Sequence, residues 1–302
     1  MNVIKRIYIF STLIILFSST LGSPAVAQVL TKKVDPLRPI IEIKTQKTLT
    51  VEELIEKLKR ANYTLLGEFH DNASHHQLRG DLILRLNQSK QTVVVEYLLA
   101  GKEVQFSGST LESLHTAGFN SKAWPWSIYG PLFETLRISQ RPIVGSNLDR
   151  SISKAIFSGA NNPIPSSLKV DYQKSSLSAP AMAALEQDLI EGHCGKLPPA
   201  YLNPMMLVQR LTDISMARVL LERSSGILLA GNGHIRKDYG VPQVLKAIAP
   251  HQSVVNVAFT EDDGLDSKAI ANYRDRYDYV WLTKPIERKD PCADLQFGKP
   301  SS

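Results

Sequence analysis

Cysteine is scarce in this chain, with only two in 302 residues. Neither stands in a Cys-x-x-Cys-His arrangement, which excludes covalent haem attachment. Gly-x-Ser-x-Gly and the phosphate-cradling glycine loop are missing too, which argues against an α/β serine hydrolase and against nucleotide binding. The formal net charge is +6, but no dense Lys/Arg run carries it. Positives scattered in this way are not the footprint of a nucleic-acid partner. Internal repeats and low-complexity blocks are absent. One conspicuous apolar run opens the chain, Ile7 to Leu21, preceded by Lys5 and Arg6 and followed by Ser23-Pro24-Ala25-Val26-Ala27. It falls short of the roughly 20 residues a membrane-spanning helix needs, and Ser11, Ser18, Ser19 and Thr20 dilute it. With its small-x-small ending it reads as a signal peptide over residues 1–27, cut after Ala27. No cysteine lies near that point to carry a lipid. Cleavage removes Lys5 and Arg6 and no acid, so the mature charge is +6 − 2 = +4. The reading is an exported protein, periplasmic or secreted, without a stable membrane anchor after cleavage.

What remains has the makings of an ordinary globular domain: a hydrophobic share of 43% and a charged share of 21% suffice for a sizeable core. Cys194 and Cys292 would sit in an oxidising compartment, where either a disulfide or two free thiols is open. Residues 28–48 read as an extended lead-in, 49–284 as the folded domain and 285–302 as a tail. "LTVEELIEKLKRAN" predicts a short amphipathic helix capped by Thr50. Tyr63 to Gly67 does not alternate and reads as a strand buried on both faces. "ASHHQLRGDLILRLNQS" returns to helical spacing. "TVVVEYLL" reads as a strand ending at Glu96, "RPIVGSN" as one ending at Asn147 and "GILLAGNGH" as one ending at His234. "QSVVNVAF" and "YDYVWLT" complete the set, and "PMMLVQRLTDISMARVLLER" is a long helix. This alternation predicts an α/β fold, a central, mostly parallel sheet flanked by helices. Residues 100–140 and 160–204 are helical insertions. In such a sheet ligands bind outside the carboxyl ends of the strands, where Glu68, His70, Glu96, Asn147, Asp149, Asn232 and His234 would gather.

The strongest chemical signal is a matching pair, Gly67-Glu68-Phe69-His70 and Gly231-Asn232-Gly233-His234, each a Gly-x-x-His directly after an apolar run. Glycine there permits a backbone turn that a side chain would obstruct. Glu96 strengthens the case, because a carboxylate buried unpaired costs several kcal/mol. Glu68, His70, Glu96 and His234 make a reasonable set for zinc, manganese or iron. They could equally act as a metal-free acid/base group, His70 moving a proton while Glu68 or Glu96 orients it. His75 and His76 read as surface or haem-face residues. Tyr97, Tyr129, Tyr201 and Tyr239 could ligate ferric iron as phenolates, although packing is the commoner use. Met205, Met206 and Met216 read as core filler.

The stretches "LLGEFHDNASHHQL", "VVVEY", "WSIYGPLFE", "PIVGSNLDR", "GHCGKLPPAYLNPMMLVQRLTDISMA" and "LLAGNGHIRKDYGVPQVL" together resemble the ChaN-like proteins. These are exported bacterial haem-binding factors of the Tiki/erythromycin-esterase superfamily, and the likeness spans roughly Leu49 to Thr283. The resemblance implies haem or iron as ligand, in iron acquisition or haem handling, with a homodimer around haem among its implications. It places Glu68, His70, Glu96 and His234 in the site, with Tyr129, Asn147 and Asn232 beside it. The Tiki branch uses paired Gly-x-x-His elements for a metal-dependent peptidase. A metal-dependent hydrolase with His70, Glu68 and His234 as catalytic residues is therefore the alternative. Family members are often lipoproteins, and this chain departs from them in lacking the lipidation cysteine.

Overall fold

Short apolar runs rich in valine, leucine and isoleucine become strands here because helices cover both faces of the sheet they form. The computed structural model describes residues 39–86, 91–262, 267–290 and 292–293. The signal segment and its cut after Ala27 lie outside the described residues. The strands are β1 (Ile40–Glu42), β2 (Lys47–Leu49), β3 (Tyr63–Leu66), β4 (Thr92–Leu99), β5 (Ile143–Asn147), β6 (Gly226–Leu229), β7 (Val254–Glu261) and β8 (Tyr279–Thr283). They form one sheet in the order β2-β1-β8-β7-β3-β6-β4-β5. β3 to β8 run parallel to one another. β1 is antiparallel to both β2 and β8, so part of the expected lead-in is an antiparallel edge. The α/β fold with a mostly parallel sheet is as the sequence predicts.

The helices that position the site are α1 (Val51–Leu58), α2 (Ala73–Arg85), α3 (Thr110–Thr116), α4 (Trp126–Ser139), α5 (Arg150–Phe157), α6 (Ser166–Lys174), α7 (Ala179–Gly192) and α8 (Pro199–Leu221). α9 (Val241–Ile248) and α10 (Ser267–Tyr273) follow. Thr50 caps α1 in a reciprocal box with Glu53, as the spacing suggests. Asn72 caps α2, its side chain accepting from the Ser74 and His75 N–H groups. α8 packs on β4, β5 and β6. Its Leu211, Ile214, Ala217 and Leu220 share a core with Leu65, Val94, Val144 and Leu228. Burying each such side chain stabilises the fold by about 1.5–3 kcal/mol. The opposite strand positions, among them Val93, Val95, Ile227, Leu229 and Phe259, are buried as well, so the sheet is covered twice.

Two strand ends differ from expectation. β4 does not stop at Glu96 but runs to Leu99, because its register against β5 shifts between Val95 and Leu99. β6 ends at Leu229, and the Gly231 to His234 element belongs to the loop beyond. Cys194 and Cys292 form a disulfide. Among the described residues no helix is long and apolar enough to cross a membrane.

Candidate functional site

Three adjacent central strands, β3, β6 and β4, deliver the chemistry. Glu68 and His70 follow β3, His234 follows β6, and Glu96 lies within β4. The two loops interlock through their glycines. A Cβ on Gly67 would lie 2.0 Å from the Asn232 Oδ1, and one on Gly231 would lie 2.9 Å from the His70 Nε2. Neither glycine is among those with positive φ. Both are therefore required for close approach rather than for the turn the sequence suggests. The Asn232 N–H donates to the Glu68 carbonyl at 3.0 Å, and its Nδ2 donates to the Phe259 carbonyl at 2.7 Å. Asn232 thus staples the two loops together, while its Oδ1 has no hydrogen-bond partner.

One cluster is built around Glu68, whose side chain is fully buried. Its Oε1 accepts from the His70 Nδ1 at 2.7 Å and from the Tyr129 hydroxyl at 3.2 Å. Its Oε2 pairs with the Arg79 guanidinium, accepts from the Tyr97 hydroxyl at 3.0 Å and lies 3.0 Å from the His76 Nδ1. Arg79 is itself buried and also donates to the His76 Nδ1 at 2.7 Å. The His76 Nε2 meets the His70 carbonyl at 3.1 Å. Burial holds both His75 and His76 down to about 4, so at neutral pH they are uncharged. The His75 Nδ1 accepts from the Phe69 N–H at 2.9 Å and its Nε2 donates to Thr283 at 2.8 Å. The expectation of surface or haem-face roles for His75 and His76 is corrected: both are wholly buried and fix the loop that carries His70. Burial pushes the Tyr97 and Tyr129 hydroxyls up, beyond the ordinary phenol range.

A second cluster surrounds His234. Its Nδ1 lies 2.6 Å from the Asp213 Oδ1 and its Nε2 3.6 Å from the Glu96 Oε1. The Gly231 N–H donates to the Glu96 Oε2 at 2.8 Å. Burial opposes every charge here. For His234 the two flanking carboxylates outweigh it and raise the imidazole well above its ordinary value. For Glu96 the fields of His234 and then His70 win, and the carboxyl is lowered. For Asp213 burial wins and the carboxyl is raised. Strand alternation separates the clusters: successive side chains point to opposite faces, so Tyr97 reaches Glu68 while Glu96 reaches His234.

The four expected metal ligands are thus divided between two clusters. Among the described residues no three His, Cys, Asp or Glu side chains are placed to hold a metal ion. His70 is different in kind. Its side chain is 48% exposed, and the Glu68 carboxylate, 2.7 Å from Nδ1, orients the ring without engaging Nε2. No described residue hydrogen-bonds to that nitrogen. A carboxylate behind an imidazole is the arrangement that orients a metal-ligating histidine. Trp124 meets the His70 ring at 5.2 Å, and the neighbouring Phe69 is 39% exposed.

Asn147, at the end of β5, borders a neighbouring hollow. Tyr239 lies elsewhere, donating to Asp188 at 2.6 Å, and Tyr201 packs on Phe157. Met206 and Met216 are core residues. Arg79 and Asp213 were not anticipated as site residues. Arg79 sits one helical turn from His76 and Asp213 lies within the long helix α8, and a charge turned toward an apolar core is the signal that could have found them.

A family model described as haem-binding uptake, Tiki superfamily, ChaN matches residues 54–245, well over half of the chain. The chain belongs to this ChaN-like family. The matched segment of this ChaN-like chain contains both Gly-x-x-His elements, Glu96, Arg79 and Asp213, whereas Glu261 and Cys292 lie beyond it. Among solved structures, that of cofacial haem binding to ChaN of Campylobacter jejuni is similar at 23% identity. It covers 82% of this chain and 97% of its own, with a TM-score of 0.66. At that identity the likeness shows the fold. The type III effector HopBA1 is 10% identical, covers 78% of this chain and 94% of its own, and its TM-score of 0.42 is too low to support an argument. A Bacillus cereus protein is 14% identical over 70% of each chain, with a TM-score of 0.39, and is equally uninformative. No curated protein matches.

Proposed function

We propose that this ChaN-like protein binds haem at the open edge of its sheet, with the His70 Nε2 as the iron ligand, and that it does so as an exported protein in iron acquisition or haem handling. The observation that carries the reading is the half-exposed His70, its Nδ1 anchored on the buried Glu68 and its Nε2 without a hydrogen-bond partner among the described residues. Haem, when bound, would supply an iron that the His70 imidazole could ligate. The protein's part is to fix the ring orientation through Glu68 and Tyr129, to back that carboxylate with Arg79, and to set the aromatic side chains Phe69 and Trp124 close to His70, where they would contact the macrocycle. Tyr129 and Asn232 act one step behind the ligand. Asn147 faces the hollow at its side, and the His234 cluster braces Gly231 beneath His70. The N-terminal apolar segment supports export, and two copies meeting across their haems is the assembly the resemblance implies.

Haemin added to the mature chain is expected to give a shifted Soret band that His70→Ala abolishes. An unshifted spectrum, or one unchanged by that substitution, rejects the assignment.

A further inference from the structure

A hollow of about 350 Å³ opens beside the site, at the carboxyl ends of β4 and β5. Trp124 is its common wall with His70: the indole contacts the His70 ring at 5.2 Å and the Tyr97 ring at 5.1 Å and also lines the hollow. Its lining is part apolar, from Leu98, Leu99, Leu148 and Tyr97, and part polar, from Asn147, Asp149, Arg150 and Ser153.

The commitments of those polar groups are uneven. The Asp149 carboxylate is engaged at the start of α5, accepting from the Ser151 N–H at 2.7 Å and from its hydroxyl at 2.6 Å. Among the described residues, the Arg150 guanidinium makes no ion pair or hydrogen bond, and the side chains of Asn147 and Ser153 make none either. Almost every other arginine close to the site is tied down: Arg79 to Glu68 and Tyr97, Arg288 to Asp71 and Glu261, Arg236 to Asp188 and Asp238. A planar cation with five donors is suited to a carboxylate, and here it borders a partly apolar hollow that shares a wall with His70.

We propose that this hollow receives a carboxylate side arm of the macrocycle held at His70, with Arg150 as ion-pair partner and Asn147 and Ser153 as hydrogen-bond donors. The inference rests on the haem reading above and deepens it, since haem carries two propionates on one edge. Arg150 then selects the free acid over its esters and sets the direction in which the ring lies across Trp124.

The test compares haemin with haemin dimethyl ester, titrated by difference spectroscopy against the mature protein and against Arg150→Gln. The unsubstituted protein is expected to favour the free acid by about tenfold or more, as a charge-assisted contact implies. Arg150→Gln is expected to bring that preference close to unity with the Soret maximum unchanged. Lys154→Gln, an equal loss of charge one turn along α5 and away from the hollow, serves as control and is expected to keep the preference. Acid and ester binding equally to the unsubstituted protein, or Arg150→Gln keeping the full preference, overturns the subsite while leaving the haem reading intact. An equal loss in Lys154→Gln reduces the effect to general charge and overturns it too. Failure of both ligands to bind the unsubstituted protein rejects the haem reading and the subsite together.

Discussion

His75 and His76 illustrate how the meaning of a side chain depends on which way its helix faces. A His pair at a helix start gives no indication from sequence of being buried; Asn72, capping α2, orients both rings inward. In the folded chain each takes up its proton only near pH 4, against 6.5 for an unburied imidazole. The unfolded state therefore binds more protons between these values, and stability falls as pH drops from about 6.5 to about 4. Asp213, raised to about 6 by burial, binds its proton earlier in the folded chain and offsets part of this loss between about 6 and 3.8; His234 does not, because a raised pKa contributes fully everywhere below 6.5 and is lost only as pH rises toward about 10. Urea unfolding at pH 7 and pH 4.5 is expected to show a loss of a few kcal/mol, smaller in His75→Gln. An unchanged midpoint across that interval would contradict burial of the neutral rings. Glu68 and His70 were legible as a pair. The five-way use of Glu68 was not, since Arg79, Tyr97 and Tyr129 converge on it from elements distant in sequence.

At the scale of elements, the strands and the long helix were readable because their apolar runs are continuous and their length excludes other uses. The ends were not. β4 continues past Glu96 because its register against β5 slips there, a tertiary event without a local mark. α8 carries Asp213 along a face otherwise directed at the core, and that charge is tolerable only because His234 meets it. Asp213→Ala leaves Glu96 as the one carboxylate beside the His234 imidazole, with the Gln209 amide at its Nδ1. It is expected to destabilise the fold by about 3 kcal/mol, as breaking a buried pair commonly does, and to lower the His234 pKa. Denaturant titration and the histidine ring resonances would report both, and a stability within 0.5 kcal/mol, roughly the range for surface changes, would assign Asp213 no such part.

At the scale of the whole molecule, the tail is held in two places. Arg288 pairs with Asp71, next to His70, and with Glu261 at the end of β7. A few residues on, Cys292 is joined to Cys194, 98 residues away in sequence. The sequence left the disulfide open, since two cysteines far apart carry no information on their separation in space. A cross-link closing a loop of this size stabilises by about 2–4 kcal/mol, chiefly through the unfolded chain. Replacing both cysteines by serine is expected to lower the unfolding free energy by that amount, and a reductant is expected to match it. Equal midpoints with and without reductant would rule out the bond in solution.

The interlock of the two Gly-x-x-His loops has a further consequence. Gly67 leaves room for a side chain of the second element, and Gly231 leaves room for a side chain of the first. Neither tetrapeptide, about 160 residues from the other, holds its shape as an independent motif. A Cβ restored on one must be answered by a smaller or displaced group on the other. As the chain diverges, the two are constrained to vary as a single heritable unit, and half of the site has no independent existence to be borrowed, duplicated or lost.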